Sequence, residues 1–116
     1  MNTCDNWVVL KIQPEASGEQ EVFYKLLRGW SGSYTYGNSW HMNSGIEKLV
    51  LNGGLYEIHG YSGSVYKVHK GSYVVRMNIV GVIAYYEDKY PNCITVMPDC
   101  DWSKFKWSAK DEDQGI

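Results

Sequence analysis

The residues best suited to proton transfer near neutral pH are three histidines, His41, His59 and His69. With Lys67, Lys70 or Arg76 to stabilise a charged phosphorane, two of them would supply an acid and a base for metal-free RNA cleavage. That chemistry requires donor and acceptor on opposite sides of one phosphate, and His59 and His69, expected on neighbouring strands, are the pair it would use. The same three histidines with one cysteine would count to four zinc ligands. The chain has no close ligand pair of the kind structural zinc sites use, so no metal and no other cofactor are expected. Lone histidines on strands more often serve surface or core, and Glu47, Glu57, Glu87 and Asp88 form no recognisable catalytic pair. No residue is assigned a catalytic role on sequence grounds.

Two Ser-Gly-Ser triplets, Ser31-Gly-Ser33 and Ser62-Gly-Ser64, invite a nucleophile or phosphate-cradle reading. Neither is Gly-x-Ser-x-Gly, and neither carries the lysine of a P-loop. Glycine allows a tight turn and serine hydroxyls cap turn amides, so turn architecture is the simpler account. If functional, these corners would offer amides and hydroxyls to the phosphate or sugar of a nucleotide. Trp30, Tyr34, Tyr61 or Tyr66 would then stack on its ring. The triplets belong to a longer match, Leu27-Arg-Gly-Trp-Ser-Gly-Ser33 against Ile58-His-Gly-Tyr-Ser-Gly-Ser64, at an offset of about 31 residues.

At 116 residues the chain is long enough for one modest core. Aromatic content of 15%, mainly ten Tyr and five Trp, suits half-buried sheet faces and binding surfaces alike. A formal net charge of −2 argues against a general nucleic-acid binder, which needs an excess of Lys and Arg to displace counterions. Arg28, Lys67, His69, Lys70 and Arg76 are the candidates for a local basic patch. Cys4, Cys93 and Cys100 are an odd number without a Cys-x-x-Cys pair. With no signal-peptide pattern and no apolar run long enough for a membrane span, free thiols in a reducing cytoplasm are expected.

The elements that must position these groups read as short strands. Trp7 to Ile12 is β-rich, with Val8, Leu10 and Ile12 on one face. Glu21 to Arg28 fits either a capped helix or a strand, and its likeness to the strand-like second copy favours the strand. Ser39 to Met42 follows as a short strand. Lys48 to Leu51 and Leu55 to Ile58 flank Asn52-Gly53-Gly54, the best hairpin signal in the chain. Val65–His69 and Tyr73–Met77 are expected to pair as a further hairpin. Ile79 to Tyr86, strongly apolar, is expected as a central strand, and Cys93 to Met97 as a last one. Alternating Trp102, Phe105 and Trp107 would close over the sheet. The expected fold is mainly β with little helix: a small curved antiparallel sheet, barrel-like or a compact sandwich. It spans one domain, 1–109, with a polar, acidic tail over 110–116. Exposed edges in such folds are managed by closure or by pairing, which makes a homodimer an expected arrangement.

Ser39-Trp-His-Met-Asn-Ser-Gly-Ile46 and Gly60-Tyr-Ser-Gly-Ser-Val-Tyr-Lys-Val-His-Lys-Gly-Ser-Tyr73 resemble segments of small bacteriophage-encoded proteins of unassigned function. The resemblance covers roughly residues 21–76 and carries over no catalytic residue. It implies an early phage product that binds a host or anti-phage-defence protein in the host cytoplasm. Trp30, Trp40, Tyr61 and Tyr66 would be its buried anchors, because Trp, Tyr and Arg dominate interface energetics. The second expectation is a protein that sequesters a nucleotide signal, using Trp30, Ser31, Ser33, Tyr34, Tyr61, Ser62, Ser64 and Tyr66. The third is the ribonuclease.

Overall fold

β1 (Asn6–Ile12) explains most of the architecture. A run of Trp, Val, Val and Leu has no polar face, so it is stable as a strand only when covered on both sides. Residues 6–10 are all buried. β1 pairs antiparallel with β2 (Phe23–Ser33), matching Val8 to Leu27 and Val9 to Leu26. β3 (Gly37–Met42) lies outside β2, and β7 (Ile94–Val96) covers the other side of β1. The four-stranded sheet therefore runs β3-β2-β1-β7. A second antiparallel sheet of three strands contains β4 (Ile46–Asn52), β5 (Leu55–Gly60) and β6 (Val65–His69). This computed structural model describes residues 3–13, 22–33 and 37–107. The fold is mainly β and compact, and the two sheets do not close into a barrel.

The alternation of β1 and β2 divides the core. Trp7, Val9 and Leu26 face the second sheet, where Ile46, Tyr56, Ile58 and Val68 meet them. Val8, Leu10 and Leu27 face away and are covered by Ile79 and Ile83 of α1 (Met77–Lys89). Trp7 sits at the centre of the first cluster. Its ring is edge-on to Tyr73 at 4.7 Å and to Tyr56 at 5.9 Å, and its indole Nε1 donates to the His69 carbonyl at 2.7 Å. Buried indole N–H groups require such a partner, and this one ties β1 to the end of β6. Trp102, Phe105 and Trp107 pack over the same cluster, as their sequence spacing predicts.

Several predicted strands stand as expected. Residues 23–28 are strand, and the Asn52-Gly-Gly54 hairpin forms with Gly53 at a positive φ of 66°. Two are corrected. Ile79 to Tyr86 lies within helix α1 and is not a central strand. Asn78, Ile79 and Ile83 are buried with Val82 and Tyr86 beside them, a helical spacing, whereas Val80, Gly81, Ala84 and Tyr85 point outward. Because the outer face is also largely apolar, the helical period is hidden in the sequence. Tyr73 to Met77 is not a strand either. After a 3-10 turn at Lys70–Ser72, Tyr73 makes one isolated bridge to Trp7 and the chain crosses to begin α1. β6 consequently pairs with β5. Trp102–Lys104 is a 3-10 turn. The 110–116 tail lies outside the described residues.

Two asparagines hold the crossings. Asn78 Nδ2 donates to Asn6 Oδ1 at 2.6 Å and to Ser31 Oγ at 3.0 Å, and Asn6 Nδ2 donates to the Val74 carbonyl. This buried network fixes the start of α1 against β1 and β2. Asn43, also buried, accepts from the Leu26 amide at 2.8 Å and donates to the Gly45 carbonyl, guiding the chain from the first sheet into the second.

Candidate binding surfaces

The residues singled out by sequence fall into three groups in space. Trp30 and Tyr66 meet around Arg28. β2 presents Tyr24, Leu26, Arg28 and Trp30 on its face toward the second sheet, and Tyr66 of β6 comes from that sheet. The Arg28 guanidinium carbon lies 4.4 Å from the Tyr66 ring centre and 4.9 Å from that of Trp30, with cation–π contact on both. His41, opposite Arg28 on β3, has its Nδ1 3.1 Å from Arg28 Nη2 and its ring 5.5 Å from that of Tyr66. Burial and the Arg28 charge both hold the His41 pKa below the ordinary histidine value, so the imidazole favours its neutral form. Burial likewise lowers the pKa of Arg28.

Trp40 is on the other face of the first sheet, paired with Gly29 and edge-on to Tyr86 of α1 at 6.5 Å. Exposed apolar side chains here are Trp40 (44% exposed) and, on the outer side of α1, Met77 (83%), Val80 and Tyr85 (58%). A shallow groove of about 410 Å³ runs between Trp40 and α1, lined by Met77, Gly81, Tyr85 and Tyr86. A second groove of about 360 Å³ lies beyond Tyr86, between Phe23, Met42, Tyr90 and Ile94, with Lys25 and Cys93 at its wall. The ring of Tyr86 separates them and stacks with Tyr90 at 6.4 Å.

The third group is dispersed. Tyr61 is exposed on the β5–β6 turn with its ring packed over Gly45. Ser62 and Ser64 lie on the same turn, closed by Gly60 N–H to the Ser64 carbonyl. Ser31 is on a strand, and both its polar groups are engaged: its amide donates to Asp5 Oδ2 at 2.6 Å and its hydroxyl accepts from Asn78. The two Ser-Gly-Ser triplets thus share letters and differ in backbone, one in β2 and one in a turn. Tyr34 and the side chain of Ser33 lie outside the described residues.

The basic and histidine candidates are also spread out. Lys67 and His69 sit on the outward face of β6, and His59 shares that face on β5. Val65 is opposite His59 and Leu55 opposite His69, a four-residue offset along the strands. At the rise of an extended chain that separates the two histidines by roughly 13 Å. His41 faces the inter-sheet side, so the three do not meet. Lys70 follows β6, Arg76 caps α1, and Arg28 is on the other sheet; these cations form no single patch. Among the described residues no group of three or more His, Cys, Asp or Glu is placed to hold a metal ion, and no helix is long and apolar enough to cross a membrane. Cys4 is buried, and burial pushes its thiol up to about 11. Cys100 is exposed, and no disulfide joins it to Cys93.

Sequence reasoning missed two features: the outer face of α1, misread as strand, and the pairing of Arg28 with His41. The second needed the β2–β3 register, which no local pattern reports. Among the described residues, fold and surfaces together define a β protein of two sheets and one α-helix, apolar on its outer side. Comparison with protein-family models, with curated proteins and with solved structures finds no match.

Proposed function

We propose that this chain is a non-enzymatic binding protein that masks another protein through the outer face of α1 and the adjoining edge strand β3. The single observation behind this reading is the apolar surface formed by Trp40, Met77, Val80 and Tyr85 beside a groove. A monomeric protein seldom leaves large aromatic and aliphatic side chains together in water, and contiguous patches of this kind mark interaction sites. Tyr85 and Trp40 supply broad apolar area with few rotatable bonds, the residue character of interface hot spots. The face is mildly polar at its ends, with Arg76 before the helix and Glu87, Asp88 and Lys89 in its last turn, which suits a polar rim. The resemblance to phage-encoded proteins suggests a host or anti-phage-defence protein as the partner. Of the four anchors named from sequence, Trp40 belongs to this face, while Trp30 and Tyr66 are engaged around Arg28.

The test compares capture from a host lysate by the wild-type chain and by a Met77→Asp, Tyr85→Ala double variant. Both positions are exposed, so the variant keeps the wild-type melting temperature. A protein retained by the wild type and lost by the variant supports the reading; equal retention by both, or none by either, contradicts it.

A further inference from the structure

On the opposite side of the first sheet, Arg28 is a charge with no counterion among the described residues. The guanidinium lies over two aromatic rings, 4.4 Å from the Tyr66 centre and 4.9 Å from that of Trp30, and a ring face is no substitute for an anion's oxygen lone pairs. His41 Nδ1 accepts one N–H of the five that a guanidinium carries. Nε is buried and has no hydrogen-bond partner. Among the described residues no carboxylate lies within ion-pair distance of Arg28. Cys4, which interacts electrostatically with Arg28, is held as the neutral thiol by burial. Asp5, next along the chain, is bound to the Ser31 amide. A half-buried cation of this kind is costly unless something pairs with it.

We propose that Arg28, clamped between Trp30 and Tyr66 and bonded to His41, is the binding site of a small oxyanion, a carboxylate or a phosphate. The ring contacts and the His41 bond restrain the planar fork, whose shape favours two parallel N–H···O bonds to an oxyanion. The rings give the site low-dielectric walls, which strengthen the attraction. The site is independent of the α1 face, lying across the first sheet from it.

His41 is the built-in reporter. Its Nδ1 can accept from Arg28 only while unprotonated, and the groups facing it are Arg28 from β2 and Tyr66 from β6. An anion on the guanidinium offsets the positive charge that disfavours imidazolium. Anion uptake and proton uptake on His41 are therefore coupled, and by linkage an added anion raises the pH at which His41 titrates.

The experiment follows the imidazole proton resonances of His41, His59 and His69 by NMR across pH 5 to 8. The chain is held at constant ionic strength in chloride, then with sodium phosphate, then with sodium acetate. His41 is assigned with His41→Gln. The expected result is an upward move of the His41 midpoint by about half a pH unit or more, some threefold in proton affinity, with His59 and His69 unmoved. Which salt produces it identifies phosphate or carboxylate. Arg28→Lys keeps the charge, loses the fork and is expected to abolish the move. A His41 midpoint that shifts no more than those of the other two histidines in both salts overturns the proposal. Persistence of the shift in Arg28→Lys overturns the role of the fork.

Discussion

Gly29 of β2 lies directly under Asn78 of α1: a methyl group added at position 29 would stand 2.7 Å from Asn78 Nδ2 and 2.8 Å from Ile79 Cγ2. The absence of a side chain there lets the helix start settle onto the sheet, and it places Asn78 within reach of Asn6 and Ser31. Gly29→Ala forces the helix outward or breaks that network. Overpacking of this kind typically costs about 1–3 kcal/mol. Urea unfolding would register it as a lower midpoint with an unchanged slope, and wild-type stability in G29A would contradict the close approach.

The Asn6–Asn78 pair makes a related prediction. Asn78→Ala leaves Asn6 Oδ1 buried without its donor, a loss of about 1–3 kcal/mol. Asn78→Leu adds a bulkier apolar group beside Gly29 and is expected to be worse than alanine. Thermal melting of the two variants gives the order directly.

Cys4 and Cys100 are expected to differ in reactivity. Cys4 is buried with its pKa pushed up to about 11, so almost no thiolate exists at pH 7.5. The pKa of Cys100 is also raised, by its slight burial and then by Asp99 and Asp101, but its side chain is exposed. Titration with an aromatic disulfide reagent in native buffer should modify Cys100 readily and Cys4 only on unfolding. Rapid labelling of Cys4 in the folded chain would contradict its place in the core.

His41 gives stability a pH dependence of known sign. Its folded pKa is held below the unfolded value, so the unfolded chain binds more protons as the pH drops through that interval. The contribution is fully present above the ordinary histidine pKa and is lost as pH falls toward the folded value. Melting temperatures at pH 7.5 and 5.5 should therefore fall further apart for wild type than for His41→Gln. An equal difference in both would remove His41 as the source.

Local pattern made part of this legible. Trp7 to Ile12 is a β-rich apolar run, and Asn52-Gly-Gly54 between two β-rich runs can hardly be anything but a hairpin. Ile79 to Tyr86 failed because its solvent side carries Val80, Ala84 and Tyr85, so neither a period of two nor of 3.6 stands out. The likeness of Leu27–Ser33 to Ile58–Ser64 predicted the right strand for the first copy, with Leu27 and Ile58 both fully buried. It misled beyond the shared glycine, where β2 continues against β3 and β5 turns. Arg28 and His41 were thirteen residues apart and unrelated until the register of β2 and β3 set them side by side.

The most direct measurement of the central claim is affinity capture on the α1 face, with the chain and its Met77→Asp, Tyr85→Ala variant compared at equal melting temperature. The account predicts one protein held by the first and released by the second. Identical retention, or no specific retention, would contradict it.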